Sequence, residues 1–478
     1  MSKEFKSRIK ENIFTYISAL VIIGAFIVVA MVSFLSELGM HPDEFDVKMC
    51  MDWCMNRFIW PDMRLTGEGL GDTFSGYGYT KVCNYSPYFL IFSKIAYVFK
   101  QFMDVLPYYR MPNLLLMAVI CVYMLKKIKD HNYLMLGFGI CIQAWYIFSY
   151  VTADAEDFLL GFFATALLAD EDSFLWRNLY GHTDVDRISS KSDSSEDIHM
   201  SSSAESVSDD RITVRVVLSC VALGIMYGLM LLGKPYYYAT LMLTFIVLVW
   251  RLIKSEINIR KQLLTRYILI AGVAFAIFAG RAALDFHYYG FDKASAEQQM
   301  SEQYSDYDKN PLTPIEEQEP TYHMASKGYS IVDFFKYSPD WFELSFRSFA
   351  SYSVYRDGHD LYYRVMAGLY LLIYVWLGVY LCNKGEKGIF IVVTLLNIGS
   401  IVASVLNSYL IDCQPQGRYL LPIALATCYL GARARELWNH RGFRVLVLIT
   451  ACLSISYFGL FASRKLIDLG YVRTLFSL

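Results

Sequence analysis

Residues 13–36 carry no charged side chain, and Lys3, Lys6, Arg8 and Lys10 stand immediately before them. A helix crosses the hydrocarbon core of a bilayer with about 20 apolar residues, because lipid offers its backbone no hydrogen-bond partners. A secretory signal would have a shorter apolar stretch and a small-residue cleavage site, neither of which is present. The run is therefore read as an uncleaved first span with a cytoplasmic N-terminus. Similar runs recur at 111–125, 132–153, 158–169, 216–233, 236–250, 267–280, 365–383, 389–411, 419–432 and 445–463. The expected fold is an all-α polytopic membrane protein with eleven transmembrane helices.

Composition agrees with this. Hydrophobic residues make up 55% and charged residues 18%, against about a quarter charged in soluble domains. The net charge of −2 provides no basic surface for nucleic acid. Cys121, Cys141, Cys220, Cys382, Cys428 and Cys452 lie inside apolar runs and read as small hydrophobes. Cys50, Cys54, Cys83 and Cys413 fall outside them, and their spacing does not determine whether any pair forms a disulfide.

Basic residues in the short loops set the orientation. With the N-terminus inside, Lys126, Lys127 and Lys129 fall inside, as do Arg251, Lys254, Arg260, Lys261 and Arg266. Lys384, Lys387, Arg433, Arg435, Arg441 and Arg444 fall on the same side. The chain then divides into a first span (1–36), a first extracytoplasmic loop (37–110), a transmembrane core (111–285), a second extracytoplasmic loop (286–364) and C-terminal spans (365–478). Both long loops are rich in aromatics and are expected to be helical, for instance at 88–102 and 331–352. A cytoplasmic insertion, 181–210, is Ser- and Asp-rich in its middle and is expected to be disordered.

Three constellations could carry chemistry. His41-Pro42-Asp43-Glu44-Phe45-Asp46 places three carboxylates at the mouth of the first span. Burial and like charge would raise one carboxyl towards general-base duty; the plainer reading is a cap for a helix at 45–58. Asp154, Glu156 and Asp157 border another span, where acids are costly. They suit a divalent cation (Mg or Mn) or an acceptor sugar, or else form a solvated turn. Arg110, Lys234, Arg281, Arg347 and Arg418 are basic residues on the outer side, against the usual bias. They suit capture of a phosphate, or else snorkel to lipid headgroups.

The motifs Pro42-Asp43-Glu44, Tyr85-Ser86-Pro87-Tyr88, Ala153-Asp154-Ala155-Glu156-Asp157, Gly233-Lys234-Pro235-Tyr236 and Gln416-Gly417-Arg418-Tyr419 follow one another in that order. The series resembles the GT-C superfamily of membrane glycosyltransferases, closest to bacterial polytopic proteins linked to cell-surface polysaccharide loci. The resemblance implies transfer of a sugar from a polyprenyl-phosphate donor to a glycan or lipid-linked acceptor on the outer face. Asp43 would be the base, with Glu44 beside it and Asp46, Asp154, Glu156 and Asp157 in support. Arg418, Lys234 and Arg347, with Arg281 and Arg110, would hold the donor phosphate. His41, Tyr85, Tyr236, Trp341, Gln416 and Tyr419 would line the substrate. Metal dependence stays open. The competing expectations are a transporter or flippase of a lipid-linked saccharide, and a non-catalytic partner in polysaccharide export.

Overall fold

The computed structural model describes residues 3–467 except 66, 68, 85, 103–106, 181–213 and 354–358. The expected insertion 181–210 and Tyr85 lie outside the described residues. Among those described, the chain is helical, with two isolated β-bridges and no extended strand.

α1 (Lys3–Leu35) opens the chain, and the first long loop follows with α2 (Glu44–Cys54) and α3 (Tyr88–Lys100). α4 (Met111–Lys127) starts beside Pro112 and ends on Lys126 and Lys127, as helix geometry and dipole favour. After a broken stretch containing α5 (Ile142–Tyr146) come α6 (Asp154–Ala169) and α7 (Phe174–Tyr180). α8 (Val214–Leu232), α9 (Tyr238–Lys254) and α10 (Ile257–Tyr289) form the middle of the bundle. The second loop holds α11 (Lys293–Tyr304), α12 (Ile331–Tyr337) and α13 (Trp341–Phe349), so the stretch expected as one helix at 331–352 is two, divided at Pro339. α14 (Asp360–Asn383), α15 (Lys387–Leu410), α16 (Leu421–Arg433) and α17 (Arg441–Tyr457) complete it, the last continuing through a π-turn.

Eight helices among the described residues are long and apolar enough to cross a bilayer: α1, α4, α8, α9, α10, α14, α15 and α17 with its extension. They turn large apolar side chains outward, such as Leu20, Phe245, Phe275, Leu371 and Leu395, as lipid contact requires. The three remaining expected spans differ. α6 has 16 residues and α16 has 13; they pack on one another and are mostly buried. A helix enclosed by protein is freed from the length that lipid imposes.

The third, 132–153, is not one helix. It runs as a π-turn, Met135–Gly139, then α5, then turns and irregular chain to α6. The carbonyls this frees are met by side chains from surrounding helices. Tyr370 Oη and Ser454 Oγ donate to the Ile140 carbonyl at 2.8 and 2.9 Å. Ser33 Oγ donates to the Ser149 carbonyl at 2.9 Å, and Asn113 Nδ2 to those of Tyr150 and Thr152 at 2.5 and 3.1 Å.

The bundle has two distinct ends. At one, Lys127 and His131 pair with Asp170. Glu171 there meets Arg251 and Arg433, Arg433 also meets Glu386, and Lys384 meets Glu436. The basic clusters expected to share a face therefore do share one. The long loops and every residue discussed next lie at the other end.

Candidate functional site

α2 begins directly after Asp43, whose backbone is left-handed (φ 58°) and whose carboxylate makes no capping hydrogen bond. Asp tolerates that conformation better than most residues. The carboxylate, freed from capping, faces a cavity of about 1390 Å³ and pairs with Lys81 Nζ at 3.4 Å. Asp43 thus stands at the N-cap position, as the plainer reading expected, but its side chain does not cap the helix.

Lys234 and Arg418 line the same cavity, near enough for both charges to act on Asp43. Both are positioned by Asp154, which is fully buried: Lys234 Nζ lies 2.5 Å from Oδ1 and Arg418 Nη1 lies 3.4 Å from Oδ2. Tyr236 Oη and Thr152 Oγ1 complete its shell. Asp157 accepts the Lys234 backbone N–H at 3.0 Å, and Glu156 accepts from Ser86 at 3.5 Å. The three carboxylates of this motif thus face cations, a backbone amide and a hydroxyl, and none lines the cavity. Among the described residues no three His, Cys, Asp or Glu side chains gather as a metal site.

Glycines set the two cation loops. A Cβ at Gly233 would overlap the Asp157 carboxylate, and one at Gly417 would overlap the Phe349 backbone. Both chains therefore pass closer than any other residue permits. Arg418 is buried, its guanidinium stands 5.4 Å from the Tyr419 ring centre, and its Nε has no hydrogen-bond partner among the described residues.

Burial alone would raise the Asp43 carboxyl, but Lys81, Arg418 and Lys234 together hold it below its ordinary value. At Asp43 the three cations outweigh desolvation, so the raised carboxyl expected at this motif falls on Asp46 and not on Asp43. Lys81 is pulled down by its own burial, against the attraction of Asp43.

Other expected site residues are placed elsewhere. Glu44 forms a bidentate pair with Arg110 at 2.6 Å, both side chains sealed from solvent. Arg110 also donates to the carbonyls of Ser33, Ser36 and Glu37, so this pair pins the loop to α1 and lies off the cavity wall. Asp46 sits outside the cavity wall, its carboxyl raised by burial. Arg281 pairs with Asp285, and Arg347 with Glu343 and Asp360 at 3.0 and 2.8 Å. His41 is buried between Ser36 and Tyr146 and stacks on Tyr150; burial, then Arg110, holds its pKa well below the ordinary value. Trp341 donates to Ser408 inside a core cluster, and Gln416 is not on the cavity wall. Tyr236 and Tyr419 do line it. Cys50, Cys54, Cys83 and Cys413 are free thiols.

Sequence reasoning missed Lys81, Tyr77, Tyr79, Tyr150 and Asp412, all on the wall. One signal for Lys81 was available: it is the sole charge between Asp72 and Lys94.

Comparison with protein families, curated proteins and solved structures returns no match for this chain.

Proposed function

We propose that this protein is a membrane glycosyltransferase that moves a sugar from a polyprenyl-phosphate donor to a glycan or lipid-linked acceptor on the outer face of the membrane. The observation that carries the reading is that Asp43, Lys234 and Arg418 line one cavity, with Lys81 paired to Asp43. The same cavity continues along Leu231, Tyr238, Phe278, Ala403 and Asn407, on α8, α9, α10 and α15. That apolar flank suits a prenyl tail entering from the bilayer.

The chemistry needs two things: a base for the acceptor hydroxyl and cations for the leaving phosphate. The acceptor oxygen attacks the anomeric carbon as the bond from that carbon to the phosphate oxygen breaks. The electron pair leaves with the phosphate, towards Arg418 and Lys234, and the proton passes to Asp43. The depressed Asp43 carboxyl is by itself a weak base. A donor phosphate on Arg418 and Lys234 would offset their share of the field that depresses it, leaving that of Lys81, so donor binding would strengthen the base. Asp154 holds both cations in place.

A flippase is the second reading, and the broken segment 132–153 is the feature that invites it, since interrupted helices often line transport paths. Here the freed carbonyls are occupied by Tyr370, Ser454, Ser33 and Asn113, which favours transfer. The test is glycan analysis of cells carrying Asp43→Asn or Arg418→Ala. The transferase reading expects the product to be lost at normal membrane abundance. Unchanged glycan in both variants would reject it, and lipid-linked sugar accumulating on the inner leaflet would favour the flippase.

A further inference from the structure

Residues 74–80 form a small hairpin closed by a bridge between Phe74 and Thr80. Its turn is fitted against the second long loop: Asp306 N–H donates to the Gly76 carbonyl at 2.8 Å. Gly78 has φ 73°, and a Cβ there would run into the Ser301 backbone. The hairpin therefore holds a fixed pose and presents Tyr77 and Tyr79 on the cavity wall.

Tyr77 lies 6.1 Å from Tyr79 and 5.8 Å from Tyr322, ring centre to ring centre. Tyr79 is 43% exposed, a large amount for an aromatic ring held on a rigid turn. Beside them is Asp412, buried, accepting from Gln414 Nε2 at 2.7 Å and from the Tyr77 hydroxyl. Asp412 has no ion-pair partner among the described residues, although Asp43 pairs with Lys81 in the same cavity. Gln414 in turn accepts from Tyr419, next to Arg418. The strap 412–419 thus carries at one end a carboxylate with no direct ion pair, acted on at longer range by Lys309 and Glu319, and the cation at the other.

Flat aromatic faces beside a carboxylate and an amide suit a pyranose: its C–H face lies on a ring, and its hydroxyls donate to the carboxylate. We propose that Tyr77, Tyr79, Tyr322, Asp412 and Gln414 form the subsite for the acceptor sugar, and that it takes a neutral pyranose and disfavours a uronate. The assignment to the acceptor rests on the transferase reading; the binding itself does not. An acidic sugar would meet the unpaired Asp412 carboxylate, a repulsion that discriminates against it.

The experiment is saturation-transfer NMR on the full chain in phosphatidylcholine nanodiscs, free of sugar-headed detergent. The probes are the methyl glycosides of glucose, galactose, mannose and glucuronic acid. The expected result is transfer to at least one neutral glycoside and weaker transfer to the glucuronide. Tyr79→Ala loses the signal, Tyr79→Phe keeps it because the ring is what binds, and Asp412→Asn brings the glucuronide up to the neutral sugars. Asp43→Asn keeps the neutral signal while abolishing turnover, which separates this proposal from the reaction. No transfer from any neutral glycoside, a full signal in Tyr79→Ala, or a glucuronide equal to the neutral sugars in the unsubstituted protein would overturn the proposal.

Discussion

Asp43 is where residue-level physics makes its sharpest demand. Its carboxyl is depressed by Lys81, Arg418 and Lys234, so the free protein should keep it ionised to below the ordinary range near pH ~4. On the proposed reading, donor phosphate would partly neutralise Arg418 and Lys234 and the carboxyl would rise. The acid limb of kcat, which reports the bound state, is then expected at higher pH than the limb of kcat/KM, which reports the free protein. Coincident limbs would contradict the donor-strengthened base. Lys81→Met should move the kcat/KM limb upward, because one of the depressing charges is gone. At this scale the sequence was informative about Asp43, Lys234, Arg418, Tyr236 and Tyr419, which line the cavity as expected. It was not informative about Glu44 and Arg110, because their mutual burial depends on α1 packing beside α4. Neither charge pattern nor spacing encodes that.

Elements position these residues. Apolar length sufficed to find the eight long helices, since lipid itself imposes the rule. It failed at 132–153, where a run apolar enough for a span is broken. The information was spread over Ser33, Asn113, Tyr370 and Ser454, each a polar residue inside another span. Asn113 is the most exacting of them, because it serves the carbonyls of Tyr150 and Thr152, both on the cavity wall. Asn113→Leu should strip both buried acceptors, at roughly 1–3 kcal/mol each. A clear fall in the thermal unfolding midpoint in nanodiscs is expected. A variant as stable as the unsubstituted protein would show that the break is held by something else.

At the scale of the whole molecule, the two ends are separated by the length of the spans. α15 rises from Lys387 at the basic end to Asn407 on the cavity wall, about 30 Å away at 1.5 Å per residue. Ser326 is exposed and lines the cavity, whereas Arg435 is exposed at the basic end beside Glu171. If the cavity faces outward, Ser326→Cys in intact cells should react with a membrane-impermeant maleimide and Arg435→Cys should not. The reverse pattern would invert the orientation. The alternation of basic clusters made this two-ended plan legible, because it depends only on which loops are short and charged. The meeting of residues 43, 234 and 418 was legible only as a series of motifs, and the arrival of Lys81 not at all, since their approach depends on the Gly233 and Gly417 loops closing on Asp157 and Phe349.

The central claim is that this cavity transfers a sugar with Asp43 as base. Its most direct test is release of polyprenyl phosphate from membrane-extracted lipid-linked sugar donors by the protein in proteoliposomes supplied with acceptor glycan. The account predicts release with the unsubstituted protein and a fall of roughly 100- to 10,000-fold in Asp43→Asn, with donor still bound. Equal release by both proteins, or intact donor moved between leaflets without release, would contradict it.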